Sequence, residues 1–596
     1  MRADPAKIRE ALNAGLNTEA LDLARTARPA PSDAAEIHYL GALACARMGA
    51  IDEAEQWLAQ VDRAQLGDGP LAAEVWSLTG RIAKERYAAA GDRTAAREFA
   101  LAAIDGYQRA YAIGGSAYPA VNAATMAMLS GDAALARTLA RQALSALGTG
   151  GDHWHHASSG EALLLLDDLD AARRHYTEAH RLAANRFGDI ASMRRQLLLI
   201  GSDAAHDLLA VVPAPRVLAF SGHMIDLPGR ATPRFPAGIE DEVARALRER
   251  LARLGPSIGY AQAACGADIQ FLEAMQDAGM QTHIVLPFAK QDFIRESVAI
   301  AGEAWIRRFE RVLERATRVV LATEEAFLGD EVLFEHASHL IQGMAFLHAA
   351  ELSAQPLMLT VLDSASPALV GGTVASARIW RGTEGRVENI DLAALRGGAY
   401  SGRGGNLKPA AARPAAPAAT RRTLKSLLFA DISGFSKMPE QHTPRFVGMF
   451  LETCRTLLDA LEHPVADANT RGDALFIIFE RPGQAADYAL RLQQAMRNVD
   501  FTAFGLARES GVRIGLHTGP VYEIFDPVMA KTTYYGTHVN LAARLEPVVQ
   551  TGHIFVTEAF AASLVAEGEE RFSCHYIGAM PLAKQFGQSR LYRLHS

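Results

Sequence analysis

A chain of 596 residues is longer than a single hydrophobic core supports, and it implies several domains. With 49% hydrophobic residues each domain can bury a core, while a net charge of −7 and the lack of a long basic run argue against nucleic-acid binding as the main role. Cys45, Cys265, Cys454 and Cys574 are scattered without metal-ligand spacing and read as free thiols in a reducing cytoplasm. The charged N-terminus has no apolar signal core and no apolar run is long enough to span a bilayer, so a cytoplasmic protein without a membrane span is expected.

Residues 1–212 are rich in Ala and Leu at helical spacing, as at Ala20, Leu23, Ala24 and at Leu40, Leu43, Ala44. Breaks recur at Pro29-Ala30-Pro31, Gly67-Asp68-Gly69-Pro70 and Gly148-Thr149-Gly150-Gly151. A turn-to-helix pattern appears at Gly49-Ala50-Ile51-Asp52 and Gly131-Asp132-Ala133-Ala134, with a looser copy at Asp167-Asp168-Leu169-Asp170. On these residues the segment resembles degenerate tetratricopeptide repeats, which implies a surface for a protein partner or an adjacent domain. A plain helical bundle is the alternative. His153, His155 and His156 follow a Gly-rich break with no carboxylate pattern and read as a solvated loop rather than a metal site.

Residues 213–395 alternate strands and helices. Apolar strands are expected at 216–223, 257–260, 283–288, 317–322 and 357–362, with a helix over 239–254. This alternation implies an α/β doubly wound, mainly parallel sheet, whose ligands bind beyond the carboxyl ends of the strands. Bends rich in small residues fall at those ends, and small residues allow a phosphate or sugar to approach the backbone. Through Ser221-Gly222-His223, Ala264-Cys265-Gly266-Ala267-Asp268 and Leu286-Pro287-Phe288 the segment resembles the SLOG superfamily of Rossmann-like domains. The resemblance implies a nucleotide-derived ligand, sensed or processed, with Ser221, Gly222, His223, Gly266 and Asp268 as its candidate contacts. Turn and helix capping is the competing role for His223 and Asp268. Residues 396–421 are Ala/Pro/Gly-rich and read as a semi-extended linker.

Residues 422–596 read as strand, helix, strand, strand, helix, strand, the order of an α+β ferredoxin-like domain. The apolar run Leu427-Leu428-Phe429-Ala430 leads into Asp431, and Arg471-Gly472-Asp473 forms a hairpin turn that places Asp473 beside it. Two close carboxylates are costly without a cation and suit magnesium or manganese. Asn540 and Arg544 are four residues apart on the helix after Gly536 and project from one face, where an amide and a fixed cation can orient a sugar and neutralise a phosphate. Lys584 is a candidate for the outer phosphates.

The motifs Phe429-Ala430-Asp431-Ile432-Ser433-Gly434-Phe435, Gly472-Asp473, Arg513-Ile514-Gly515-Leu516-His517-Thr518-Gly519 and Gly536-Thr537-His538-Val539-Asn540-Leu541-Ala542-Ala543-Arg544 resemble the class III adenylate/guanylate cyclase catalytic domain. The resemblance implies two magnesium or manganese ions per site, bound by Asp431, Asp473 and the carbonyl of Ile432. Asn540 would orient the ribose, Arg544 would stabilise the transition state, and Phe435, Asn469, Thr533 and Lys584 would meet the nucleotide. It also implies a homodimer with sites split between chains. Thr533 suits the adenylate type, whereas Asn469 stands where adenylate cyclases usually carry Lys. ATP is the first choice of substrate, GTP the second, and a pyrimidine triphosphate stays open. A nucleotide-binding sensor or scaffold with a silent cyclase domain is the alternative of another class.

Overall fold

The computed structural model describes residues 5–13, 17–27, 32–148, 150–227, 233–255, 257–363, 380, 386–396, 421–569, 571–583 and 587–596. The breaks at 29–31 and nearly all of the expected linker lie outside the described residues. Met1–Ala214 forms one compact unit, and the chain from Pro215 makes the bulk of a second. Among the described residues no helix is long and apolar enough to cross a membrane.

The first unit is helical throughout. It runs α1 (Pro5–Asn13), α2 (Asn17–Thr26), α3 (Ala34–Arg47), α4 (Ile51–Ala59), α5 (Pro70–Ala89), α6 (Arg93–Gly114), α7 (Ala117–Leu129), α8 (Ala133–Leu147), α9 (His153–Leu165), α10 (Leu169–Ala183), α11 (Phe187–Ile200) and α12 (Asp203–Leu208). Successive helices pack through small residues; Ala100, Ala103, Ala123, Ala124, Ala140 and Ala143 have no exposed surface. The three sequence copies share one local device. Gly49, Gly131 and Asp167 all take a left-handed backbone, with φ of 70°, 94° and 65°. Asp132 and Asp168 then cap α8 and α10 by accepting from Leu135 N–H at 2.9 Å and Ala171 N–H at 3.1 Å. The loose third copy is therefore a structural repeat in which Asp167 does what glycine does in the others.

The histidines at 153–156 are not a solvated loop. They begin α9, capped by Asp152, and His153 is buried with its Nε2 2.9 Å from Asp189. The cap and the carboxylate on α11 offset the desolvation that a loop would have avoided.

The second unit carries two sheets. The first contains β1 (Arg216–Gly222), β2 (Ser257–Ala261), β3 (Gln281–Leu286), β4 (Arg318–Leu321), β5 (Pro356–Leu362) and β6 (Arg386–Asp391), in the order β4-β3-β2-β1-β5-β6 with every pairing parallel. The order reverses beside β1, as in a doubly wound sheet. Its helices include α13 (Glu240–Leu254), α14 (Ala267–Asp277), α15 (Lys290–Ser297), α16 (Glu303–Glu314), α17 (Val332–Glu351) and α18 (Leu392–Arg396). The β6 strand was not expected: it is polar at Arg386, Glu388 and Asn389, and as an edge strand pairing only with β5 it needs no apolar run.

The second sheet contains β7 (Arg422–Ile432), β8 (Asp467–Arg471), β9 (Ala474–Phe479), β10 (Val512–Asp526), β11 (Lys531–Tyr535), β12 (Ile554–Thr557), β13 (Ser573–Pro581) and β14 (Gln588–His595). The helices α19 (Thr443–Asp459), α20 (Pro482–Arg497), α21 (Thr537–Leu545) and α22 (Glu558–Ala566) accompany it. The central order β10-β7-β9-β8 is antiparallel and is the expected ferredoxin-like arrangement. Beyond it β12 joins parallel to β10, making the full sheet mixed. Strand β10 runs on to Asp526 and folds back through β11.

Candidate active site

The apolar stretch of β7 anchors the site. Leu427 and Leu428 have no exposed surface and Ile432 has 1%, so the strand end is fixed by the core on both faces. Asp431 is the polar interruption, with 28% of its side chain exposed. Gly434 then takes φ 82° and turns the chain away into the helical turn that carries Phe435. Phe435 packs 6.0 Å, ring to ring, from Phe446 on α19.

The β8–β9 hairpin brings the second acid. Its closing pair is Arg471 with Ala474, and Gly472 at φ 68° makes the turn. Asp473 thereby reaches hydrogen-bonding contact with Asp431. Burial, and then the hydrogen bond and charge of Asp431, push the Asp473 carboxyl up to about 7, against an opposing hydrogen bond from Ile432 N–H. Two carboxylates that hold a proton near neutral pH form a pair a divalent cation would discharge. No group of three or more His, Cys, Asp or Glu suited to a metal occurs among the described residues. The donor set here is two carboxylates with the Ile432 carbonyl next to Asp431. That set fits a hard cation that completes its coordination with phosphate and water oxygens.

One role was missed in the sequence. Arg513 lies opposite Asp431 in the β10–β7 register and donates to it from Nη2 at 2.7 Å, while the same atom is 2.8 Å from Glu546. Burial pushes Glu546 up to about 7, with Arg513 acting against the rise. Arg513 belongs to a quoted motif, but only the antiparallel register identifies its partner.

Asn540 and Arg544 sit on α21, Asn540 exposed and Arg544 half-buried. Neither side chain makes a hydrogen bond or ion pair with a described residue, so both are free to meet a substrate. No hydrogen bond or ion pair links them to Asp431 or Asp473 of the same chain. Asn469 on β8 is exposed, and Thr533 on β11 pairs with Ile524. The two strands are tied by the Lys531–Asp467 ion pair at 2.5 Å. Lys584 lies outside the described residues.

The five sensor residues expected in the middle region do come together. Asp268 accepts from Gly222 N–H at 3.1 Å and Ala264 N–H at 3.3 Å. Ala267 N–H donates to His223 O at 3.1 Å, and Met224 bridges to Gly266. Burial pushes Asp268 up to about 7, opposed by its two backbone donors. The bends thus close on each other, with His223 and Asp268 buried and Ser221 half-buried.

Residues 419–596 match the family described as the adenylate and guanylate cyclase catalytic domain, and residues 17–127 match tetratricopeptide repeats-sensor. An adenylate cyclase of Streptomyces griseus is 33% identical over 143 residues, covering 24% of this chain and 33% of that protein. Guanylate cyclase 2G of Mus musculus is 30% identical over 154 residues, covering 24% of this chain and 14% of that protein. The chain thus spans at most about a third of the length of these curated relatives. Among solved structures, monomeric adenylate cyclases from Trypanosoma brucei align at 25% identity and a TM-score of 0.26, over 29% of this chain and 89% of theirs.

Proposed function

We propose that this chain, whose residues 419–596 are a class III adenylate/guanylate cyclase catalytic domain and whose residues 17–127 are a tetratricopeptide-type sensor domain, converts a nucleoside triphosphate to a 3′,5′-cyclic nucleotide and pyrophosphate. ATP is the proposed substrate, with Thr533 as the supporting position; Asn469 keeps GTP as the second choice. The observation that carries the reading is the Asp431–Asp473 pair at the end of β7, with Arg513 braced against Asp431.

Magnesium or manganese, held by Asp431, Asp473 and the Ile432 carbonyl, would supply Lewis-acid activation of the ribose 3′-hydroxyl and neutralise the triphosphate. Arg513 keeps the Asp431 carboxylate aimed. Asn540 orients the ribose, and Arg544 offers a fixed positive charge to the oxygens of the α-phosphorus as it becomes five-coordinate. Asn469 on β8 and Thr533 on β11 meet the base. Phe435 is assigned to the nucleotide, and Lys584 to the outer phosphates.

The site is proposed to form across a homodimer, the acid pair from one chain and the Asn540/Arg544 pair from the other. Two features support this. The Asn540 and Arg544 side chains of α21 have no hydrogen-bond or ion-pair partner among the described residues. The β10–β11 hairpin also exposes Phe525 (62%), Val528 (89%) and Met529 (56%), an apolar tip suited to a second copy. The helical region is proposed to receive a protein partner and the middle region a nucleotide-derived ligand, both regulating the cyclase.

The test is product analysis. Purified protein is incubated separately with ATP, GTP, CTP and UTP plus manganese, with Asp431→Ala as control. A cyclic product from one nucleotide, absent in the control, is the expected result. Nucleotide binding without product from any of the four would replace this reading by a silent, nucleotide-binding module.

A further inference from the structure

The loop 322–331 joins β4 to α17 in the middle region, yet one of its carboxylates reaches the catalytic helix. Helix α21 is preceded by Gly536, at φ 134°, and has no side-chain N-cap of its own. Its first N–H, on Thr537, donates instead to Oε1 of Glu325 at 3.2 Å, across 212 residues of chain. The other Glu325 oxygen accepts from Arg422, the first residue of β7. The Arg422 side chain has no exposed surface and is held on the same loop by Asp330, at 2.6 and 2.8 Å. Burial alone would raise the Glu325 carboxyl, but hydrogen bonds from Arg422 and Thr537 outweigh it and keep it below the ordinary value. The cap is therefore a charged one, the form a helix N-terminus favours.

The loop is braced from behind. Phe327 stacks on Phe288 at 4.7 Å and its N–H donates to Asp292 at 2.9 Å. Beside it, Arg318 pairs with Glu558 of α22 through both carboxylate oxygens, at 2.8 and 2.6 Å. The first two contacts fix the loop on the middle region, and the Arg318–Glu558 pair ties β4 to α22 of the catalytic domain, all without Glu325.

We propose that Glu325 is a positioning residue for Asn540 and Arg544: the middle region supplies the N-cap that the catalytic helix lacks and so sets where its substrate-facing side chains stand. This rests on the cyclase reading of the C-terminal domain. The arrangement also places the coupling element at the carboxyl edge of the parallel sheet, in contact with Phe288 of the Leu286-Pro287-Phe288 bend.

The experiment compares full-length wild type with Glu325→Ala, Glu325→Gln and Arg318→Ala. Cyclic nucleotide formation gives kcat and KM, and hydrogen exchange reads the amides of 537–545. Glu325→Ala should lower kcat about tenfold or more with KM within about twofold, because Arg544 acts in the transition state. Exchange in α21 should quicken about 2- to 30-fold, the range of a lost cap. Glu325→Gln keeps an oxygen for Thr537 and should recover most of kcat. Arg318→Ala loosens the same surface without touching α21 and should leave kcat within about twofold. An unchanged kcat in Glu325→Ala overturns the proposal, as does an equal loss in Arg318→Ala. If wild type itself makes no cyclic nucleotide, the cyclase reading fails separately. The exchange data then decide alone: faster exchange confined to α21 supports the cap, and unchanged exchange overturns it.

Discussion

Arg513 stands directly across the β10–β7 ladder from Asp431 and donates to it at 2.7 Å, while holding Glu546 at 2.8 Å with the same nitrogen. A carboxylate expected to bind a cation is thus oriented by a resident cation that cannot lose its proton. Arg513→Ala frees the Asp431 rotamer and leaves Glu546 without a charge partner. A displacement of about 1 Å at the reacting centre can cost about 100-fold. The expected outcome is a kcat lower by about 10- to 100-fold, with more manganese needed for half-maximal rate. A metal titration of wild type and variant checks it, and superimposable curves would count against the orienting role.

The proposed split site makes a counting prediction. Asp431→Ala and Arg544→Ala homodimers should each be nearly inactive. Mixed in equal amounts after subunit exchange, half the dimers carry one intact site, so about a quarter of wild-type activity should return. Restoration shows that one chain completes the other's site; a mixture as inactive as its components would place the whole site within one chain.

Buried histidines give the second unit an acid-sensitive stability. His283 stacks on Tyr260 at 4.6 Å, His348 lies 5.8 Å away, and neither ring nitrogen of His283 has a hydrogen-bond partner among the described residues. Burial first, then His348, Arg318 and Arg590, pushes His283 down to about 3. Burial and Arg590 push His348, which contacts the Tyr260 hydroxyl at 2.7 Å, down to about 4. In the unfolded chain both should titrate near the ordinary value of about 6.5. Between about 6.5 and the folded values the unfolded state binds more protons. The stabilisation is therefore complete above about pH 6.5 and is lost as the pH falls toward 4, by about 1.4 kcal/mol per pH unit for each histidine. Urea midpoints at pH 7.5 and 5 should differ in that direction, and His283→Gln should flatten the difference. A wild-type midpoint independent of pH would remove the argument.

Gly343 on α17 packs flush against α22: a Cβ there would lie 2.0 Å from the Ala562 carbonyl oxygen. That atom is backbone and cannot swing aside. Gly343→Val should push the two helices apart and destabilise the second unit by about 1–3 kcal/mol, the usual cost of overpacking. Denaturant unfolding measures it, and a midpoint equal to wild type would mean the two helices are not in contact in solution.

Much of this protein was legible locally. The apolar runs of β1, β2 and β3 appear as strands close to their expected limits, because a strand buried on both faces must be continuously apolar. Asp431 and Asp473 stood out as acids at the ends of apolar runs, and the hairpin turn at Arg471-Gly472-Asp473 was enough to bring them together. The strand β6 and the far half of β10 carried no such signal. An edge strand needs little hydrophobicity, and Ile524 and Phe525 on the exposed end of β10 face outward rather than into the core.

The sequence by itself determined which residues the proposed chemistry calls on, because the acid pair, the amide and the guanidinium sit in short motifs whose spacing sets their local geometry. Only the tertiary structure decided who holds them. The partner of Arg513 depends on the register of two strands 82 residues apart, and the cap on α21 comes from a carboxylate 212 residues away. Such contacts leave no periodic trace, since they join residues far apart in the chain that meet only in the folded molecule.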